Sequence, residues 1–419
     1  MADIISGKSR FNGTDKTGSS GKVIQLRSSE EPKDSLNEEE IKEKIRKHRR
    51  NVIIACTITA VAAVILILIA LFLLDGRTYS EYSVNGSVNR DDTDSAAYQS
   101  FEGGYIRYSN DGAAYYNSKG TAVWNQTFSM QKPQIKVCGK WAAVGDLNGS
   151  TIYMFDNQGM IGSVDTSLSI SQIEVAEQGI VAAVLEDTTA NYINLYNTDG
   201  NKIYTVKTTL EGDGYPLDIS ISKDAAKLIA SYLYVSGESI KTNVVFYNFS
   251  EVGQNETERI VGGFNHYDST IVGDVQFLND TTAVAVGENV LSIYNIKEYP
   301  SLAKEITIDS EIERVFFSSH YVGIVVKNSD SGDIYKLTVY DTSAKELCST
   351  TFNTQYDDIS FDGKSVIMSS ASTFSLINLK GKLLANQNFE LPIETVLPTG
   401  TRGKYIMVNS KYIQNIRLE

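Results

Sequence analysis

From Thr78 to the C-terminus, apolar and polar residues alternate in short runs of four to eight, broken by Asn, Asp and Gly. Alternation with period two is the signature of half-buried strands, and Asn, Asp and Gly suit the tight turns between them. No 3.6-residue period stands out over this stretch. Upstream the pattern changes. Val52–Leu74 is an uninterrupted apolar run of 23 residues without charge, Pro or Gly. At about 1.5 Å per residue such a helix crosses a hydrocarbon core of about 30 Å. Before it, Ser35-Leu-Asn-Glu38 matches a capping box, and Glu38/Lys42, Glu40/Lys44 and Glu43/Lys47 stand at helix-supporting i,i+4 spacing. The pattern therefore predicts a disordered polar tail over 1–34, a basic juxtamembrane helix over 35–51, a transmembrane helix over 52–74 and a β-rich body over 78–419.

The body repeats. A strand ending in an aromatic or apolar residue followed by Asn or Asp recurs at Asn117, Asp156, Asn197, Asn248, Asn295, Asp341, Asn378 and Asn415. The gaps are 39, 41, 51, 47, 46, 37 and 37 residues, with a mean of about 43. That is the length of a four-stranded propeller blade. Two strands precede each marker and one follows it, as in TAVWNQTF after Asn117. The expected fold is all-β: an eight-bladed β-propeller outside the membrane, with a seven-bladed ring as the alternative, preceded by one transmembrane helix. The chain ends just after the third strand of its last unit. Thr78–Asn89 is β-rich and precedes the first unit, so it is expected to close the ring as the missing outer strand.

Charge sets the orientation. Residues 1–51 carry a net charge of +3, so the rest of the chain carries −16 of the total of −13. Lys42, Lys44, Arg46, Lys47, Arg49 and Arg50 crowd the N-terminal flank of the span. Basic flanks stay in the cytoplasm, which places the N-terminus inside and the propeller outside a cell membrane. The run lacks a small-x-small cleavage site, so it reads as an uncleaved signal anchor. An acidic body is a poor fit to nucleic acid.

The hairpin Tyr116–Phe128 resembles the quinoprotein-like propeller repeat, in which a turn Gly precedes a Trp that docks on the next blade. No WD40 signature pair is present. A basic head, one span and a degenerate propeller together resemble an uncharacterised family of single-pass membrane proteins of Gram-positive bacteria. That resemblance carries no active residues to transfer.

Candidate chemistry is sparse. The three cysteines, Cys56, Cys138 and Cys348, form no CxxC, and with three histidines a metal site is not expected. A quinone cofactor needs a stacking Trp, but Trp124 is explained by blade packing and Trp141 opens a buried strand. Six N-x-Ser/Thr triplets in the body, at Asn85, Asn125, Asn148, Asn248, Asn255 and Asn279, fit the chain's richness in those residue types. Glu174, Asp218, Asp274 and Asp358 sit near the starts of the inner strands, where carboxylates could line a channel. No catalytic, cofactor-binding or metal residue is assigned. The expected function is a non-enzymatic interaction platform. Its partners would be the lipid bilayer, through 52–74, and an envelope protein or glycan. The alternative is a degenerate carbohydrate-processing or quinoprotein-like enzyme using channel carboxylates.

Overall fold

The computed structural model describes residues 38–90, 96–267, 270–328 and 332–419. The expected tail over 1–34 and the Ser35 cap lie outside these residues. Two compact units divide at Leu71/Phe72.

Helix α1 (Glu38–Asp75) accounts for all the described residues of the first unit. Thirty-eight residues without a break make a rod of about 57 Å. The basic segment and the apolar run therefore share one helix. Glu43 and Lys47 meet at 2.8 Å on its polar part. Within the apolar run, the Thr57 and Thr59 hydroxyls donate to the carbonyls of Ile54 (2.8 Å) and Ala55 (2.5 Å). Each polar side chain is thus satisfied inside its own helix, which a bilayer core requires. Among the described residues this is the one helix long and apolar enough to cross a membrane.

The second unit is an eight-bladed propeller, eight four-stranded antiparallel sheets. The first strand of each blade is innermost: Ala97–Phe101, Pro133–Cys138, Ser169–Val175, Tyr215–Ile221, Val272–Asn279, Ile312–Phe317, Asp358–Asp362 and Ile393–Pro398 for blades 1 to 8. Blades 1 to 7 use four consecutive strands. Blade 8 uses Ile393–Pro398, Lys404–Asn409 and Tyr412–Leu418, and takes its outer strand from Tyr82–Asn89. That strand runs antiparallel to the last one, from Tyr82 opposite Leu418 to Asn89 opposite Tyr412. The two chain segments are further tied by Glu419 N–H donating to Glu81 O (2.8 Å) and Ser80 N–H to Glu419 O (2.9 Å).

The repeat marker has a physical cause. Asn117 Oδ1 accepts from the N–H groups of Lys119 (2.9 Å) and Thr121 (3.1 Å), closing the hairpin between third and outer strands. Asp156, Asn197, Asn248, Asp341 and Asn378 accept from the following turn in the same way. A short acceptor side chain that bonds two residues ahead is an Asx turn, which suits a hairpin at this point. Asn295 and Asn415 sit inside strands instead, paired with Thr282 and Ile406.

The outer strand of every blade carries a register shift against the third, as between Tyr115 and Tyr116 in blade 1 and Val84 and Gly86 in blade 8. One extra residue on the outer strand increases local twist.

Apolar faces of adjacent blades pack together. Trp124 of blade 1 stacks on Phe155 of blade 2 with ring centroids 4.7 Å apart, and its indole N–H donates to Asp156 O at 3.1 Å. In blade 4 the corresponding approach is closer still. A Cβ on Gly262 would stand 2.5 Å from the Pro300 ring of blade 5, so only glycine fits.

Candidate functional site

The inner strands hold most of the chemistry. In blades 3, 4, 5, 6 and 8 a bulge shifts the register immediately before Gln172, Asp218, Asp274, Arg314 and Thr395. Asp358 opens the inner strand of blade 7 at the matching level. Bulges re-aim the side chain that follows them. The result is a tier of polar residues around the axis. Glu174 lies two residues further along, towards the end of its strand rather than the start, because the strand begins at Ser169.

These groups link one blade to the next. Gln172 Nε2 donates to Leu217 O of blade 4 at 2.7 Å. Asp218 Oδ2 accepts the Val275 N–H of blade 5 at 2.8 Å. Ser220 Oγ accepts from Phe277 N–H (2.9 Å) and Gln276 Nε2 (3.0 Å), also of blade 5. On the other side of blade 3, Lys136 of blade 2 forms an ion pair with Glu174. Lys136, Glu174, Asp218 and Asp274 thus make one electrostatically connected wall across blades 2 to 5.

Burial controls the protonation of this wall. It pushes the Asp218 carboxyl up to about 7; the Val275 N–H opposes the shift, and the charges of Glu174 and Asp274 reinforce it. Glu174 is raised by burial and held back by the Lys136 ammonium. Asp274 is solvent-accessible, yet the surrounding protein still raises it. Asp358 is raised by burial and opposed by Arg314 of blade 6. Of the four carboxylates singled out in the sequence, three come together and Asp358 stands apart with Arg314. Lys136, Gln172, Ser220, Gln276 and Arg314 complete the tier. The bulges that align them leave no mark in the sequence.

One end of the channel is tied by turns. Glu177 N–H donates to Lys223 O (3.0 Å), and Lys223 Nζ reaches Glu177 (3.4 Å) and Ser319 Oγ of blade 6 (3.1 Å). Asp224 N–H donates to Asp280 Oδ1 at 2.8 Å. Beside this cluster, burial and then Glu177 push the Cys138 thiol up to about 11, so it stays protonated near neutral pH. Trp141 opens the second strand of blade 2 with the Lys140 ammonium 4.9 Å from its ring centroid. Among the described residues, no group of His, Cys, Asp and Glu is arranged to hold a metal ion.

Solved structures share this fold at low identity. Sqt1 from Chaetomium thermophilum superposes with a TM-score of 0.54 at 10% identity, covering 82% of this chain and 99% of that one. BamB from Moraxella catarrhalis gives a TM-score of 0.51 at 9% identity, covering 81% of this chain and 100% of that one. Chaetomium thermophilum Sqt1 bound to the N-terminus of the ribosomal protein L10 gives 0.50 at 10% identity, covering 82% and 97%. These likenesses establish the propeller and nothing of its use. No curated protein matches the chain. The model of the DUF5711 family, a family of unknown function, matches residues 75–418, and the chain belongs to that family.

Proposed function

We propose that this protein is a non-enzymatic interaction platform anchored in the cell membrane by Val52–Leu74. In this reading the propeller lies outside the cell and binds an envelope protein or glycan. The observation that carries it is the employment of the channel carboxylates. Asp218 spends a lone pair on the Val275 N–H, and Glu174 is paired with Lys136. Groups that fasten blade to blade are poorly placed to act as a free acid and base, which hydrolysis of a glycosidic bond demands. The basic flank of the span supports the orientation. A propeller of the same fold, Sqt1, has been solved with a peptide terminus of another protein. That is the kind of task a rigid ring of loops suits.

Two measurements on intact cells test the reading. Protease added from outside should remove the propeller and leave the head protected; protection of the propeller with loss of the head would overturn the topology. Crosslinking through the propeller should enrich a defined envelope partner, and the Asp218→Asn and Glu174→Gln variants should enrich it equally. A partner lost in both variants would return the channel carboxylates to the centre of the function.

A further inference from the structure

Blade 4 is built differently from its neighbours. Its second and third strands, Lys227–Ser236 and Ser239–Asn248, are ten residues long. The matching strands of the other blades have five to seven. Pairing with the inner strand ends at Tyr215 opposite Leu233, and pairing with the outer strand ends at Thr242 opposite Tyr267. Beyond these points, among the described residues, the strand pairs of Tyr234, Val235 and Ser236 are Lys241, Ile240 and Ser239. Three further residue pairs carry the ribbon roughly 10 Å past the sheet. The turn at Gly237 and Glu238 closes it, with Gly237 at φ +64°.

Alternation along the two strands sorts the side chains. Val235 and Ile240 stand directly opposite each other, on the same face as Leu233 and Tyr215. Tyr234, Ser236, Ser239 and Lys241 take the other face. The apolar face is uncovered: Val235 is 75% exposed, Ile240 57% and Tyr215 40%. A projecting ribbon gains nothing for its own blade from Val and Ile at such positions, where Thr would serve the strand equally well. Gly214 lies against Leu233 and Tyr234 at the base, and among the described residues no strand pairs with the edge beyond it, so the outward backbone groups from Val235 on are open to a further strand. The surroundings are acidic. Glu238 is at the tip, Glu211 and Asp213 lie in the segment leading to Tyr215, and Glu186 accepts the Tyr215 hydroxyl with Asp187 next to it. Lys241 is the only basic residue in Tyr234–Lys241.

We propose that this ribbon is the docking site for an extended segment of a partner protein in which apolar residues alternate with Lys or Arg. The segment adds as a strand along this edge from Val235 on. Its apolar side chains continue the Tyr215–Leu233–Val235–Ile240 stripe, and its long basic side chains reach the acidic groups around it. The assignment rests on the platform reading and names the part of the platform that binds.

The test uses the full chain in detergent micelles and a fluorescent peptide probe of alternating Val and Lys, read by anisotropy. The probe should bind. Its affinity should fall by about tenfold or more on the double substitution Val235→Thr and Ile240→Thr, with Glu in place of the probe's Lys, and with N-methylation of the probe backbone. Both substitutions keep strand-forming side chains at exposed positions, and an unchanged melting curve confirms the fold. Equal binding of the acidic probe or by the double variant would overturn the proposal. So would a wild-type dimer that the double variant abolishes, which would make a second copy the occupant. Loss of liposome flotation in the double variant alone would point to lipid and overturn it likewise. If the double variant still crosslinks the same envelope partner in cells, the ribbon assignment fails while the platform reading stands.

Discussion

Blades 4 and 8 depart from the common plan in opposite directions. Blade 8 lacks an outer strand of its own and takes Tyr82–Asn89 from the far end of the sequence. Blade 4 has more strand than its sheet needs and extends it into solvent. The borrowed strand meets a full ladder, Tyr82 to Asn89 against Tyr412 to Leu418, with Tyr82 also packed against Phe389 at 4.8 Å. Among the described residues, the strand ladder of the surplus joins only its own two strands. One departure therefore serves closure, and removing it should damage the whole ring. The other adds no strand pairing to the rest of the ring among those residues, and a feature without evident structural return is a candidate for use elsewhere.

The largest effect should come from the closure. Replacing residues 82–89 by a Gly-Ser segment of equal length leaves the edge of Tyr412–Leu418 unpaired and uncovers the core around Tyr405 and Ile416. A loss of several kcal/mol is expected, with soluble aggregates visible by sedimentation, since an open apolar edge recruits other chains. A propeller that melts unchanged would refute the closure's importance. Next in size is Trp124→Ala, which removes a buried ring stacked on Phe155 and the indole hydrogen bond to Asp156. About 3 kcal/mol should be lost in denaturant unfolding. Trp124→Phe should recover the larger part of it, because packing outweighs the single hydrogen bond.

How much of this could be read in advance differs from feature to feature. The blades were legible because six of the hairpins close with an Asx turn, and such a turn leaves Asn or Asp at a fixed point of the repeat. Asn295 and Asn415 mark the third strands of blades 5 and 8 as well, although there the letter matches without the turn. The surplus of blade 4 was visible as the longest gap between markers, 51 residues from Asn197 to Asn248, although length alone cannot say that the extra residues form a ribbon. The channel tier was half legible. Its acidic residues stood out, but their partners were Lys, Gln and Ser residues of ordinary appearance, aligned by bulges. A bulge changes which residue faces which by one position and depends on the partner strand, so the local sequence does not encode it.

The polar wall gives an effect of intermediate size with a definite sign. Asp218 binds its proton more tightly in the folded protein, with its carboxyl raised from 3.8 to about 7 by burial. Between these values the native state holds more protons than the unfolded chain, so stability falls as pH rises from about 4 to about 7. Asp218→Asn keeps an acceptor for the Val275 N–H and removes the charge. It should stabilise the protein by a few kcal/mol at pH 8, up to the roughly 4 kcal/mol that a shift of this size corresponds to, and by almost nothing at pH 4. A benefit of equal size at both pH values would show that the carboxylate is not what weakens this seam.

The smallest expected change completes the contrast with blade 8. Val235 and Ile240 already face solvent, so exchanging both for Thr removes little buried area and keeps β-branched side chains in the ribbon. The change in unfolding free energy should stay within about 0.5 kcal/mol, the range of ordinary surface substitutions. Losing substantially more than this would mean that the ribbon supports blade 4 through contacts at its base, around Tyr215 and Leu233. It would then belong with the closing strand as a structural device, and its exposed apolar face would no longer call for a partner. A neutral result joined to loss of peptide binding separates the two roles. The ring would be held by residues that stability measurements detect, and recognition would lie in residues that those measurements cannot see.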